Sequence, residues 1–228
     1  VTIRHLLTHS SGIKPYHCFF MEEKFADRQD VSNAIISMDL EFQPGSKYSY
    51  SDLGIILLME IAERVSLRSL NEMTKTWLFK PLSMNSTMYT PEKVLLSRIV
   101  PTEFDSLYRS GLVHGVVHDE NTHLIGGVSS HAGLFSTAEN LANYAQMLIN
   151  NGTWLGKRIF TESLIKEFTT RQYLPEDSDY ALGWDTPSQN GKSSAGDYFS
   201  NISFGHLGFT GTSLWIDPEE KIIVILLT

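Results

Sequence analysis

The run Ile222-Ile223-Val224-Ile225-Leu226-Leu227 constrains the fold more than any other feature of the chain. It is far shorter than the roughly 20 apolar residues a membrane-spanning helix needs, and branched side chains suit a pleated strand. Ahead of it lie the turn residues Asp217-Pro218-Glu219-Glu220 and a second β-type segment, Thr212–Ile216. The two segments therefore read as an antiparallel hairpin. A strand this apolar belongs inside a sheet covered on both faces. The chain stops one residue after it, which reads as a fragment.

Helical signals dominate the earlier two thirds. Asp30 is placed to cap a helix whose apolar positions Val31, Ala34, Ile35 and Met38 follow helical spacing. A second helix starts at Ser51 or Asp52 and runs to about Val65, and its stretch Ile55–Met59 is apolar all round, as in a central, buried helix. Ser69-Leu70-Asn71-Glu72 is a capping box, with Met73 and Trp77 on one face and Pro81 beyond the end. Ser136-Thr137-Ala138-Glu139 reads as another, before Leu141, Tyr144, Ala145 and Leu148, and a shorter helix covers Glu162–Thr169. Tyr180–Asp185 and Tyr198–Phe204 are the expected partner strands of the hairpin. Helices followed by an antiparallel sheet, with no repeat or linker, predict one α+β domain over residues 1–228.

Charge and cysteine content narrow the function. Against 18 Lys and Arg stand 26 Asp and Glu, a net charge of −8 with no basic cluster, which argues against a nucleic-acid or anionic-membrane partner. A single cysteine, Cys18, excludes an intrachain disulfide and a cysteine-based zinc knuckle. No signal peptide is visible, and the chain begins at Val1 rather than Met.

Three strings carry most of the chemistry. The first is Thr2-Ile3-Arg4-His5-Leu6-Leu7-Thr8-His9-Ser10-Ser11-Gly12-Ile13. The second is Phe42-Gln43-Pro44-Gly45 followed by Tyr48-Ser49-Tyr50-Ser51-Asp52-Leu53-Gly54, and the third is Phe204-Gly205-His206-Leu207-Gly208-Phe209-Thr210-Gly211-Thr212. In this order they resemble the serine β-lactamase, penicillin-binding-protein and family VIII esterase superfamily, in its class C-like branch. Gly126-Gly127-Val128, Ala132–Thr137 and Leu182-Gly183-Trp184 are similar to further strings of that superfamily, so the resemblance covers nearly the whole chain. Val117-His118-Asp119 ahead of the glycine pair also resembles the β-lactamase-like modules attached to some bacterial family-three glycoside hydrolases.

The resemblance implies a β-lactamase/transpeptidase-like fold and acyl transfer without metal or organic cofactor. In the family a Ser-x-x-Lys pair supplies the nucleophile and a lysine, because a serine hydroxyl attacks only once a base takes its proton. Tyr50 corresponds to the family's tyrosine, which shares the proton traffic if cations depress its pKa. Asp52 stands where the family usually has Asn, and beside a lysine it would hold that lysine charged. His206-Leu207-Gly208 takes the place of the Lys-Thr-Gly or His-Thr-Gly strand. His206 serves there as a cation or a neutral donor, Gly208 leaves room for substrate along the strand, and the Phe209 N–H is assigned to the oxyanion hole. Leu207 offers no hydroxyl to a substrate carboxylate, which disfavours carboxylated β-lactams against neutral esters or small amides.

The nucleophile is expected upstream of Val1, so the chain reads as truncated at both ends and inactive by itself. Two internal Ser-x-x-Lys matches look accidental. Ser11-Gly12-Ile13-Lys14 is loop-like, with Pro15 just after. Ser163-Leu164-Ile165-Lys166 follows Tyr50 in the wrong order.

Each candidate has a plainer alternative. Tyr50 could be a half-buried aromatic entering a helix, Asp52 a helix cap, His206 a satisfied edge residue, and Leu207 a core residue. His114, His118, His123 and His131 with Asp119 invite a metal, but their spacings fit no helix-borne pair; His118 and Asp119 are expected to line the cleft instead. The expected activity is serine hydrolysis of an ester, amide or β-lactam through an acyl-enzyme, on a small-molecule or cell-wall-related acyl substrate in the periplasm or outside the cell. The alternative is a non-catalytic lactamase-fold accessory module on a covalently attached glycoside hydrolase. Apolar surface left uncovered by truncation would favour self-association.

Overall fold

The computed structural model describes residues 1–189 and 192–228. Its helices are α1 (Ile3–Leu7), α2 (Arg28–Ser37), α3 (Asp52–Ser66), α4 (Leu70–Thr74), α5 (Glu120–Leu124), α6 (Ala138–Ile149) and α7 (Glu162–Thr169). Short antiparallel pairs join β1 (Met88–Tyr89) to β4 (Leu134–Phe135), β2 (Phe104–Asp105) to β3 (Gly111–Leu112), and β5 (Thr153–Trp154) to β6 (Lys157–Arg158). The main sheet has the order β7 (Phe204–Leu207), β8 (Ser213–Asp217), β9 (Ile222–Leu226), all antiparallel. Among the described residues no helix is long and apolar enough to cross a membrane.

Two apolar clusters hold these elements. Leu6, Phe19, Val31, Ile35, Leu53, Ile56 and Met59 form a helical core around α3. Phe79, Leu82, Ala145, Met147, Leu148, Ile165, Phe204 and Ile216 form the second, where α6 packs on the sheet and Ile165 of α7 joins it. The buried central helix is present, although burial concentrates on Leu53, Ile56 and Met59, with Ile55, Leu57 and Leu58 half-buried.

Local signals misplace some ends and phases. The cap of α2 is Asp27, whose carboxylate accepts from the Gln29 and Asp30 N–H groups, while Asp30 reaches back to the Ala26 N–H. Thr137, not Ser136, caps α6 by accepting from Asn140 N–H. The Ser69–Glu72 box forms as expected. Beyond it α4 widens into a π-helical turn at Lys75–Phe79, which changes the phase of the helix. Phe79 then meets the core and Trp77 is left half exposed.

The partner strands also differ from expectation. Tyr180–Asp185 contributes one bridge, Asp185 to Gly205, because Ala181 N–H closes a turn onto Trp184 O and Gly183 N–H bonds Leu7 O. Tyr198–Phe204 reaches the sheet only at Phe204, since Asp217 takes the Ser200 N–H and hydroxyl instead. Among the described residues β9 is the outer strand of this three-stranded sheet. Ile223 packs into the second core, while Ile222, Val224 and Leu226 are about half exposed.

Candidate active site

A cleft of about 1100 Å³ separates the helical half from the main sheet. Tyr50 and Asp52 enter it from the start of α3, because Ser51 fixes where that helix begins. The buried Ser51 hydroxyl accepts from Gly54 N–H at 3.0 Å and donates to Lys14 O at 2.8 Å. Ser51 is thus the cap, and the Asp52 carboxylate is left facing the cleft.

From the sheet come His206, Leu207, Gly208 and Phe209. The Tyr50 and His206 ring centroids are 6.0 Å apart, so both face one cavity. His206 Nδ1 lies 2.6 Å from Leu207 O. A carbonyl only accepts, so Nδ1 carries the proton and Nε2 remains to take or give one. Leu207 is half exposed and lines the cleft; it is not a core residue. Phe209 stands out at the rim, stacked on His118 with centroids 5.4 Å apart. Gly208 lines the cleft too, but the space beside it is filled: an added Cβ would overlap Thr212 Oγ1, in a turn closed by Gly208 N–H on Thr212 O.

The third wall is the loop before α5. Arg109, paired with Asp105 at 3.0 Å, donates to Val117 O and His118 O and so holds this loop in place. His118 Nε2 meets Glu103 Oε1 at 2.6 Å. Asp119 caps α5 through Thr122 N–H at 2.6 Å and meets His131 Nε2 at 3.1 Å, while His131 Nδ1 lies 2.8 Å from Ser129 Oγ. His118 and Asp119 both line the cleft. His114 is held by Leu96 O and Ile99 O, and among the described residues no group of His, Cys, Asp and Glu is arranged for a metal.

Electrostatics in the cleft are set by burial and by carboxylates. Its described lining includes Asp52, Glu103, Asp119, Glu120 and Asp185, and neither Lys nor Arg. Burial, then Asp52 and Tyr48, push the Tyr50 phenol up to about 12. Among the described residues of the cleft no Lys or Arg opposes this rise. Burial also raises Asp52 above the ordinary carboxylate range, against the opposing pull of His131 and His206. Burial would raise Asp119 as well, but the His131 and Thr122 hydrogen bonds hold it below its usual value.

Several cleft residues carry no motif of their own. Tyr16, Tyr180, Asp185 and His131 line it, and the buried His9 packs behind Tyr50. Only His9 sits in a recognisable string; the others arrive from distant segments. Neither internal Ser-x-x-Lys match reaches the cleft. Ser11 is buried in a bend, its Oγ accepting from Ile13 N–H, and Ser163 faces Thr161 on α7. Ser194 is the serine in the described lining, and its hydroxyl is bonded to Asp185.

An α+β scaffold that brings Tyr50 and the His206-bearing strand to one cleft is the arrangement expected of the serine β-lactamase and penicillin-binding-protein class. Residues 1–228 match the Beta-lactamase family throughout, and the chain belongs to that family. It is 34% identical over 205 residues to the "Putative D-alanyl-D-alanine carboxypeptidase" of Salmonella schwarzengrund (strain CVM19633), over 82% of this chain and 46% of that protein. The chain thus spans about half the length of the curated relatives it matches. Its fold is that of the penicillin-binding protein from Bacillus halodurans, with TM-score 0.71 at 20% identity over 99% of this chain and 66% of the other. It is likewise that of EstCE1, a hydrolase with promiscuous acyltransferase activity, with TM-score 0.73 at 19% identity over 100% of this chain and 66% of the other.

Proposed function

We propose that this chain supplies the tyrosine, the histidine and the oxyanion strand of a serine hydrolase that cleaves an ester or small amide through an acyl-enzyme. The observation that supports this most is the approach of Tyr50 and His206, 6.0 Å between ring centroids, in one large cleft. The attacking serine, in this reading, belongs to a Ser-x-x-Lys segment outside residues 1–228. Its oxygen bonds to the acyl carbon, and its proton passes by way of Tyr50 or His206 to the departing alcohol or amine. The Phe209 N–H, which has no hydrogen-bond partner among the described residues, receives the oxyanion. Water then hydrolyses the acyl-serine and releases the acid. No metal or organic cofactor takes part.

Substrate choice follows from Leu207 and from the acidic lining. A lost hydrogen bond to a charged carboxylate is worth roughly 1.5–3 kcal/mol, about 10- to 150-fold in kcat/KM. The Salmonella relative's name makes an acyl-D-alanyl-D-alanine the peptide to compare, and its terminal carboxylate should be disfavoured at Leu207 as the cephalosporin's is. The test is kcat/KM of the full-length gene product for a p-nitrophenyl ester, an acyl-D-alanyl-D-alanine and a cephalosporin, in wild type and Leu207→Thr. The ester should be preferred to the cephalosporin, with β-lactam turnover rising in the variant. A wild-type preference for the cephalosporin, or an acyl group trapped on Ser11 or Ser163, would overturn the proposal.

A further inference from the structure

His9 is almost fully buried, at 2% exposure, and sits at positive φ (51°), a region His and Asn enter more readily than most side chains. Three contacts bind it to the segment carrying Tyr50. Its Nδ1 accepts from the Ser51 N–H at 3.1 Å, its carbonyl accepts from Ser49 N–H at 2.8 Å, and its ring lies flat on Tyr50, centroids 4.1 Å apart at 29°. Tyr48 and Tyr180 close on the same ring edge-on, at 6.2 and 5.1 Å. Residues 49 and 51 are therefore both tied to His9, and the ring of residue 50 between them rests on it.

The tautomer follows from these bonds. A backbone N–H only donates, so Nδ1 must be bare and the proton must sit on Nε2. Protonating Nδ1 would set two donors against each other inside the protein. We propose that His9, as the neutral Nε2–H tautomer, is the positioning residue that holds the Tyr50 phenol toward His206 for acyl transfer. This inference rests on the reading of Tyr50 given above. The brace persists across the working pH range, because burial, and then His206, depress His9 to about 3. The titratable groups facing the stack are Tyr48, Tyr50, Tyr180 and His206, with Asp52 beyond Tyr50.

The test compares His9→Phe, His9→Asn and Tyr50→Phe in the full-length gene product with a p-nitrophenyl ester. His9→Phe keeps a stacking face without the acceptor, and His9→Asn keeps an acceptor without the ring. Displacing a catalytic group by about 1 Å costs up to about 100-fold, so His9→Phe should lose about 10- to 100-fold in kcat with KM within about threefold. In His9→Asn the alkaline limb set by Tyr50 should move to lower pH, because the phenol loses the ring that desolvates it. A simple loss of folded protein would lower apparent kcat at unchanged KM but would not move the limb, so kcat is taken per active site, counted by titrating the acyl-enzyme. A second measurement needs no variant: 15N spectra of wild-type His9 should show a bare Nδ1 and a protonated Nε2, unchanged from pH 8 to 5. A folded His9→Phe with wild-type kcat, or a His9 that titrates near its ordinary value, overturns the inference alone. A fully active Tyr50→Phe overturns the reading of Tyr50 and this inference with it.

Discussion

Replacing Ser51 with alanine removes one hydroxyl that serves two partners. It caps α3 by accepting from Gly54 N–H, and it satisfies Lys14 O by donating to it. Losing an N-cap side chain costs about 1 kcal/mol, within a range of about 0.5–2. Leaving the Lys14 carbonyl without its donor adds about 1 kcal/mol, the low end of the penalty, because that bond is only partly buried. The two losses share one oxygen, so they need not add fully; Ser51→Ala should destabilise by about 1–2 kcal/mol. With a urea slope of roughly 2–3 kcal/mol/M, the unfolding midpoint should fall by somewhat less than 1 M. Tryptophan fluorescence against urea reads this directly, and Ser51→Thr, which keeps the hydroxyl, is the control. A change below about 0.5 kcal/mol for alanine, the range of ordinary surface substitutions, would refute the argument. It would mean that Ser51 does not set where α3 begins, and so does not set how Tyr50 and Asp52 reach the cleft.

Acid should destabilise the fold through His9. The unfolded chain takes up this proton near the ordinary value of 6.5 and the folded one only near 3. Between those limits the unfolded state binds more protons and stability falls with pH, by roughly 2–3 kcal/mol at about pH 4.5 from this group. Asp52, raised by burial, acts in the opposite sense, its contribution growing as pH falls toward its unfolded value, so the test is the difference between wild type and His9→Asn in urea unfolding free energy at pH 7 and 4.5. Equal losses in both proteins would show that His9 is not held neutral. At the cleft rim, Gly208→Ala should cost about 1–3 kcal/mol, the usual range for forcing an extra carbon into a filled space. Thr212→Ala in the same chain should recover most of that loss in a melting experiment, because Thr212 Oγ1 is the atom in the way; a double variant as unstable as the single one would place the strain elsewhere.

Short-range features of this protein were legible in its sequence, since their hydrogen bonds close within a few residues. The Ser69–Glu72 box, the span of α7 and the turn between β8 and β9 all lie where local chemistry puts them. The order of the motifs was legible too, and the family it resembles is the one the whole chain matches. Other local features failed where two groups compete nearly equally, as Asp27 and Asp30 do for the start of α2. Tertiary structure decided the rest. Asp217 draws the Ser200 segment away from strand pairing, and Gly183 is bonded to Leu7, outcomes that depend on partners far along the chain. The charge and protonation of the cleft also belong to the folded state. Packing takes water from the Tyr50 phenol and brings Asp52 close, which pushes it up, and no spacing in the sequence encodes that desolvation. His9 lies more than forty residues from Tyr50 and meets it only because the fold brings the His9 Nδ1 to the Ser51 N–H at the start of α3.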